Sequence, residues 1–278
     1  MNIRADLHTH SNASDGNLTP RALVEAAVKA GVKYLALTDH DTVDGLIEAD
    51  NVAKVLGINF IPGIELSCNH NNESIHILGF FKGDGYKDPN LIRFLKDLKI
   101  NRINRALEIL QKLKEHFNII IKEAEAEKLK SGLIARPHIA KAIINSGYDY
   151  DLNYIFDNFI GNDCPAYVPN KHIPINEGID LLKSYGCIVS LAHPKLIKKS
   201  PIDEILSFPF DGVEAVYFQN TKKETKFYRK KAMEFNLLIT GGSDFHGISK
   251  ADTKHGNVGA ITIPEEDFKA FINAYTNK

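Results

Sequence analysis

Apolar and polar positions follow two different rhythms along the chain, and the switch between them predicts the architecture. Met1–Leu7 is a short apolar segment. Thr19-Pro20 supplies an N-cap and a first-turn proline, a helical stretch follows over Arg21–Ala30, and Gly31 closes it. Val32–Leu37 reads as a strand leading into Thr38-Asp39-His40-Asp41, and Thr42–Leu56 as a helix stopped by Gly57. Ile58–Ile61 is a strand leading into Pro62-Gly63-Ile64-Glu65, and Ile75–Phe81 a strand with His76 near its start. Strand–helix alternation of this kind predicts a parallel sheet with helices outside it.

After Gly83 the rhythm changes. Between Asn90 and Phe117 the apolar residues Leu91, Leu95, Leu98, Ile103, Leu107, Leu110, Leu113 and Phe117 recur as they would on one helix face. Glu123–Leu129, Pro137–Asn145 and Leu152–Phe159 are further helical stretches, with Gly132, Gly147 and Gly161 as stops. The expected organisation is a barrel-forming part at 1–84, a helical insertion at 85–165 and a second barrel part at 166–278. In that last part Glu177–Tyr185 reads as a helix and Cys187–Ala192 as a strand delivering His193-Pro194. Gly212–Phe218 is a strand, Lys223–Phe235 a helix, and Leu237–Thr240 a strand delivering Gly241-Gly242-Ser243-Asp244-Phe245-His246. Val258–Ile263 and Glu265–Tyr275 complete the chain as strand and helix.

Composition narrows the class without identifying the chemistry. The 278 residues are 44% apolar and 25% charged, which excludes a disordered chain or a fibre. Thirty-four basic against thirty-five acidic residues give a net charge of −1, so any anion must be handled by local clusters rather than by a global field. No apolar run reaches the ~18 residues of a membrane span, and no signal-peptide pattern opens the sequence. Cys68, Cys164 and Cys187 are too few and too scattered for a disulfide framework. A reduced, cytoplasmic protein with no membrane contact and no obligate protein partner is the expectation. Eleven histidines are the unusual feature.

Nine potential metal ligands fall at or just beyond predicted strands: His8, His10, Asp15, His40, Glu65, His76, His193, Asp244 and His246. In an α/β barrel the strand ends converge on one face, so residues distant in sequence meet there. His8 and His10 have the two-residue spacing that puts side chains on one side of a strand, as do Asp244 and His246. Imidazole and carboxylate without cysteine suit Zn²⁺, Mn²⁺ or Fe²⁺. Nine ligands exceed one tetrahedral site, so two or three ions sharing a bridging carboxylate are expected. Asp41 reads as a helix N-cap or as an outer residue supporting a ligand, and His70, His116, His172 and His255 read as solvated or structural. There is no Walker-type phosphate loop, and Gly241-Gly242-Ser243 is not flanked as a nucleophile elbow.

His8-Thr9-His10, Ser14-Asp15-Gly16, Thr38-Asp39-His40-Asp41-Thr42, Gly63-Ile64-Glu65, His76, Ala192-His193-Pro194 and Ser243-Asp244-Phe245-His246 together resemble the motif series of the PHP (polymerase and histidinol phosphatase) superfamily. That resemblance implies a distorted (β/α)7 barrel and a trinuclear metal site. By it, His8, His10, Glu65 and Asp244 would hold one ion, Asp15, His40 and His246 a second, and Glu65, His76 and His193 a third. Mn²⁺ is the first expectation, with Fe²⁺ or Zn²⁺ as alternatives. Arg102-Ile103-Asn104-Arg105-Ala106 and Arg136-Pro137-His138-Ile139-Ala140 resemble insert motifs of small bacterial members that are 3′,5′-nucleoside bisphosphate phosphatases or 5′→3′ exoribonucleases (RNase AM). Arg102 and Arg105 lie three apart on one helix, and Arg136 precedes a proline-started one, where guanidinium groups suit a phosphate. The plain alternative for each arginine is a solvated helix face.

The resulting expectation is a metal-dependent phosphohydrolase of nucleotide phosphoesters working through a metal-bridging hydroxide. His40 or His246 would protonate the leaving oxygen, and Arg102, Arg105 and Arg136 would grip a second phosphate. The substrate would be a bisphosphorylated nucleotide or a short 5′-phosphorylated oligonucleotide. Lys195, close to the expected metal face, is a weaker phosphate candidate, and the basic run Lys222–Lys231 reads as the solvated face of an outer helix. The competing readings are a histidinol-phosphate-type phosphatase, an amidohydrolase, and a non-catalytic nucleic-acid-binding module of the same fold.

Overall fold

The computed structural model describes residues 2–129, 136–169, 173–247 and 255–277, so Gly132 and His172 lie outside the described residues. The chain forms two compact units, residues 1–93 with 172–278, and residues 94–171. The second unit starts and ends later than the expected insertion at 85–165. Helical periodicity marks where a helix begins and carries no information about which core its first turns join.

Among the described residues the larger unit has a sheet whose main path is seven strands, β1 (Ala5–Asp6), β2 (Tyr34–Leu37), β3 (Asn59–His70), β4 (Glu73–Phe81), β5 (Cys187–Leu191), β6 (Gly212–Tyr217) and β7 (Leu238–Gly242), with the short strand Ile173–Pro174 added in parallel to the end of β3. The seven pair in sequence order. Beyond the last paired residues, Leu7 N–H donates to Gly241 O at 3.0 Å, and Thr9 forms a parallel bridge with Phe245. The sheet therefore curls back on itself into a nearly closed α/β barrel. Phe80, Ile188 and Ile263 pack inside this unit with Phe268 and Phe271 of the C-terminal helix.

The distortion comes from β4, which is antiparallel to both β3 and β5, whereas the other barrel pairs are parallel. The sequence pattern predicted a parallel sheet throughout. A two-residue turn reverses the chain, with Asn71 and Asn72 at φ 49° and 59°, the left-handed conformation of hairpin turns that asparagine tolerates well. β3 is also much longer than the expected Ile58–Ile61. Its distal half alternates Ile64, Leu66 and Cys68 with Glu65, Ser67 and Asn69, which puts Glu65 on the face opposite the apolar residues.

The helices start where local chemistry allows. In α1 (Pro20–Lys29) Thr19 Oγ1 accepts from Ala22 N–H at 3.2 Å. α2 (Leu46–Leu56) begins later than Thr42 because Thr42 Oγ1 takes Asp44 N–H in a turn, and it ends on left-handed Gly57. The expected strand Val258–Ile263 shrinks to Ile263–Pro264, paired with Asn2–Ile3. The second unit holds most of α3 (Pro89–Phe117) together with α4 (Glu123–Lys128) and α5 (Arg136–Asn145), and Leu152–Ile155 runs into a π-helical turn. Ile109, Leu113, Ile139, Ile143, Ile155 and Ile160 give it a core of its own. Among the described residues no helix is long and apolar enough to cross a membrane.

Candidate metal centre

The nine sequence-predicted ligands come together at one end of the barrel. His8 and His10 leave β1 on the segment that bridges to Phe245, and His40 follows β2 and pairs with Glu65. His76 lies on β4 opposite Ser67, His193 follows β5, and Asp244 and His246 follow β7. Glu65 is the hub. Its Oε2 lies 3.2 Å from His8 Nε2, 3.3 Å from His10 Nε2 and 3.0 Å from His40 Nδ1. Its Oε1 lies 2.9 Å from both His76 Nδ1 and His193 Nε2. Asp244 Oδ1 approaches His8 Nε2 at 3.4 Å and His10 Nε2 at 3.2 Å, and Asp15 reaches His246 Nε2 at 3.3 Å.

Ligand atoms gather into sets whose members all lie within 4.8 Å of one another: His8, His10, Glu65 and Asp244; His10, Asp15, His40 and His246; and His40, Glu65 and His76. His193 joins through Glu65. A fourth set joins Asp244 and His246 to His255, whose ring centroid is 4.1 Å from that of His246. The sequence alone reads His255 as solvated or structural, whereas the structure sets it beside His246. No local sequence pattern signals this placement.

Burial alone would disfavour every charge in this cluster, so its charge state is decided by neighbours. Burial opposes protonation of His8 and His10, yet the surrounding carboxylates dominate, raising His8 well above the ordinary histidine value and His10 to about 10. Against the same burial, His40, His8 and His76 hold Glu65 well below the usual carboxylate range. For His40 burial wins, pushing it down to about 4 and keeping the imidazole neutral, as a ligand must be.

The residues fit divalent cations. His8 Nε2, both nitrogens of His10, His40 Nδ1 and Glu65 Oε2 are buried and lack a hydrogen-bond partner. Each such orphan costs about 1–3 kcal/mol unless something satisfies it. Five in one cluster, on atoms of the right type for Mn²⁺, Fe²⁺ or Zn²⁺, mark a built metal site. The backbone is strained here too. Asp41, His193 and Asp244 have φ values of 51°, 25° and 53°, a conformation that costs roughly 1–3 kcal/mol per residue and concentrates at functional sites.

Carboxylates outside the ligand set hold the loops in place. Asp39 accepts from Ser11 N–H at 2.7 Å and from Ser14 Oγ at 2.6 Å, pinning the loop between His10 and Asp15. Asp6 takes Ser243 N–H at 2.8 Å, just before Asp244. Asp41 is not the N-cap of α2; it accepts from Ser67 N–H and Ser67 Oγ, both at 2.8 Å. Sequence reasoning missed Glu214, which contacts His8 Nδ1 at 3.1 Å and takes His193 N–H at 2.8 Å. The available signal was a lone acid within the apolar run Gly212–Tyr217.

Outside the centre, Lys195 donates to Gln219 O and Glu224 Oε2 at 2.5 and 2.8 Å, which commits it to the segment that follows β6 rather than to a phosphate. His70 pairs with Glu204 at 2.7 Å and is structural. In the second unit Arg105 Nε donates to Val168 O at 2.8 Å, and Arg136 donates to Asn162 Oδ1 at 2.9 Å and lies over the Tyr167 ring. Burial lowers the Arg105 pKa and the charges of Arg136 and Arg102 lower it further, so the three form one cationic cluster.

The comparisons with known proteins agree with this geometry. A family model described as PHP domain matches residues 6–159. A 5′-3′ exoribonuclease from Haemophilus influenzae is 34% identical over 253 residues, spanning 88% of this chain and 91% of that protein. A 3′,5′-nucleoside bisphosphate phosphatase from Chromobacterium violaceum is 28% identical over 253 residues, spanning 87% and 86%. A solved structure described as an amidohydrolase from Chromobacterium violaceum, with bound sulfate and no metal, superposes with a TM-score of 0.78 at 27% identity, covering 98% of this chain and 97% of that one.

Proposed function

This chain belongs to the PHP domain family and is a phosphoesterase, and from that premise we propose that it hydrolyses nucleotide phosphoesters with two or three divalent ions, Mn²⁺ foremost. Its substrates are 3′,5′-nucleoside bisphosphates or short 5′-phosphorylated oligonucleotides degraded from the 5′ end, the chemistries for which its relatives are named. The observation that carries the reading is the knot of five buried ligand atoms without hydrogen bonds around Glu65.

His8, His10, Glu65 and Asp244 hold one ion. Asp15, His40 and His246 would hold a second, which His10 also adjoins, and Glu65, His76 and His193 would hold a third, with His40 beside it. Ions bound there neutralise phosphoryl oxygens and lower the pKa of a bound water. The chain itself supplies fixed ligands, a buried site and charge recognition. His40 and His246 serve as ligands rather than as proton donors. His40 is neutral, and His246 Nδ1 is committed to Asp244 O at 2.8 Å, leaving Nε2 toward Asp15. Arg102, Arg105 and Arg136 bind the second phosphate or the backbone of an oligonucleotide, since clustered guanidinium groups repel one another until an anion joins them.

The test is phosphate and nucleotide release from adenosine 3′,5′-bisphosphate, AMP, histidinol phosphate and a 5′-phosphorylated RNA trimer, with Mn²⁺ and with chelator. Turnover of the bisphosphate or the trimer that chelator abolishes is expected. Turnover of histidinol phosphate alone, or of none of the four, would refute the assignment.

A further inference from the structure

Strand β6 supplies none of the nine ligands, yet two of its side chains reach three of them. We propose that β6 is the supporting layer of the metal centre: Glu214 is a positioning residue that fixes the His8 tautomer, and Tyr217 restricts Asp244 to one ligating oxygen. This rests on the ligand assignment above but not on any substrate.

Glu214 is fully buried. Its Oε1 and Oε2 lie 3.1 and 3.2 Å from His8 Nδ1, and Oε2 also accepts His193 N–H at 2.8 Å. A carboxylate can only accept, so when a cation at Nε2 replaces one of its two protons the His8 ring must keep the other on Nδ1. Its Nε2 lone pair then faces Glu65 Oε2 at 3.2 Å and Asp244 Oδ1 at 3.4 Å. In that state three acceptors converge with no donor among them, an arrangement that suits a cation. The same carboxylate holds the backbone of His193, whose φ of 25° needs an anchor. One buried group thus ties the His8 ligand set to the His193 set.

Tyr217 completes the arrangement from the same strand. Its hydroxyl donates to Asp244 Oδ2 at 3.0 Å and accepts from Gln219 Nε2 at 3.2 Å, which directs its proton toward the carboxylate. Asp244 Oδ2 is therefore occupied, and Oδ1 alone faces His8 and His10. Close approach of β7 makes room for the layer: a Cβ on Gly242 would stand 2.2 Å from His8 Cβ and 2.9 Å from Glu214 Oε1. Were Glu214 only filling space, an apolar residue would do so at lower cost than a buried carboxylate.

The test uses the full-length chain stripped of metal. Glu214→Gln keeps the size and an acceptor for His193 N–H, but sets an N–H donor against His8 Nδ1. In a Mn²⁺ titration by calorimetry the expected result is one site weakened about 10–100-fold with the others unchanged. Imidazole ¹⁵N spectra of the protein loaded with diamagnetic Zn²⁺ should show His8 as the Nδ1–H tautomer in the wild type and altered in the variant. Tyr217→Phe should weaken the same site by about tenfold, at the low end of that range. Unchanged Mn²⁺ affinities with an unchanged His8 tautomer would overturn the proposal. So would an equal loss at all sites, which is what a general packing defect produces. If Glu214→Gln does not fold, Tyr217→Phe decides, and unaltered affinity there is contrary. Both readouts are made without substrate, so failure of the phosphoesterase assays would sink the proposed activity and leave this inference standing.

Discussion

The metal centre and the arginine cluster of the helical unit are opposite solutions to holding charge in a protein. In the first, unlike charges are packed together and buried, and the atoms at the middle still have unused bonding capacity. In the second, like charges lie close, and Arg105 and Arg136 donate to neutral groups of their own unit, Val168 O and Asn162 Oδ1. In the proposed function the first takes cations and the second an anion. The proposed phosphoester chemistry calls for both kinds of charge, and each region can be tested by itself.

Breaking the hub should give the largest effect. Glu65→Gln removes the carboxylate on which five imidazoles converge, and kcat/KM in phosphate release is expected to fall by at least about 10³-fold, roughly 4 kcal/mol. Arg136→Ala should cost less and be selective: about 10–100-fold for a doubly phosphorylated substrate and little for a monophosphate, as expected for one charge-assisted contact. Equal losses for Glu65→Gln and Arg136→Ala on all substrates would erase the distinction between the regions.

Stability separates them further. Gly242→Ala forces a methyl against His8 Cβ, and a loss of about 1–3 kcal/mol is expected in thermal or urea unfolding, together with weaker Mn²⁺ binding. Ala at exposed Leu152 serves as the control, with a near-zero effect. The smallest effect concerns a carboxylate already satisfied by the protein. Burial would raise Glu73, but N–H groups of Lys198, Lys199 and Ser200 outweigh it and lower its pKa from 4.5 to about 2. A depressed carboxyl adds stability above its unfolded pKa and loses it as pH falls through the folded value. Glu73→Gln should therefore flatten the pH dependence of unfolding between about pH 4.5 and 2, with no change in metal binding. An unaltered slope would show that the N–H nest contributes nothing.

The ligand set was legible because its residues sit at strand ends in short patterns, His8-x-His10 and Asp244-x-His246, whose spacing has a direct geometric meaning. The supporting layer was not. Glu214 and Tyr217 act across the sheet on residues far away in sequence, and an apolar strand with one acid looks the same whichever partner it faces. The reversal of β4 was hidden for a related reason. Two asparagines make the hairpin turn without the glycine that usually announces one, and the polar positions Glu65, Ser67 and Asn69 obscured the continuation of β3. His255 needed the fold itself.

The most direct test of the central claim is a metal count on chelator-stripped protein reloaded with Mn²⁺, read together with phosphate release from adenosine 3′,5′-bisphosphate. Two or three ions per chain, with turnover rising as they load, is the expected result. A chain that retains no ion, or turns over equally well in chelator, would contradict it.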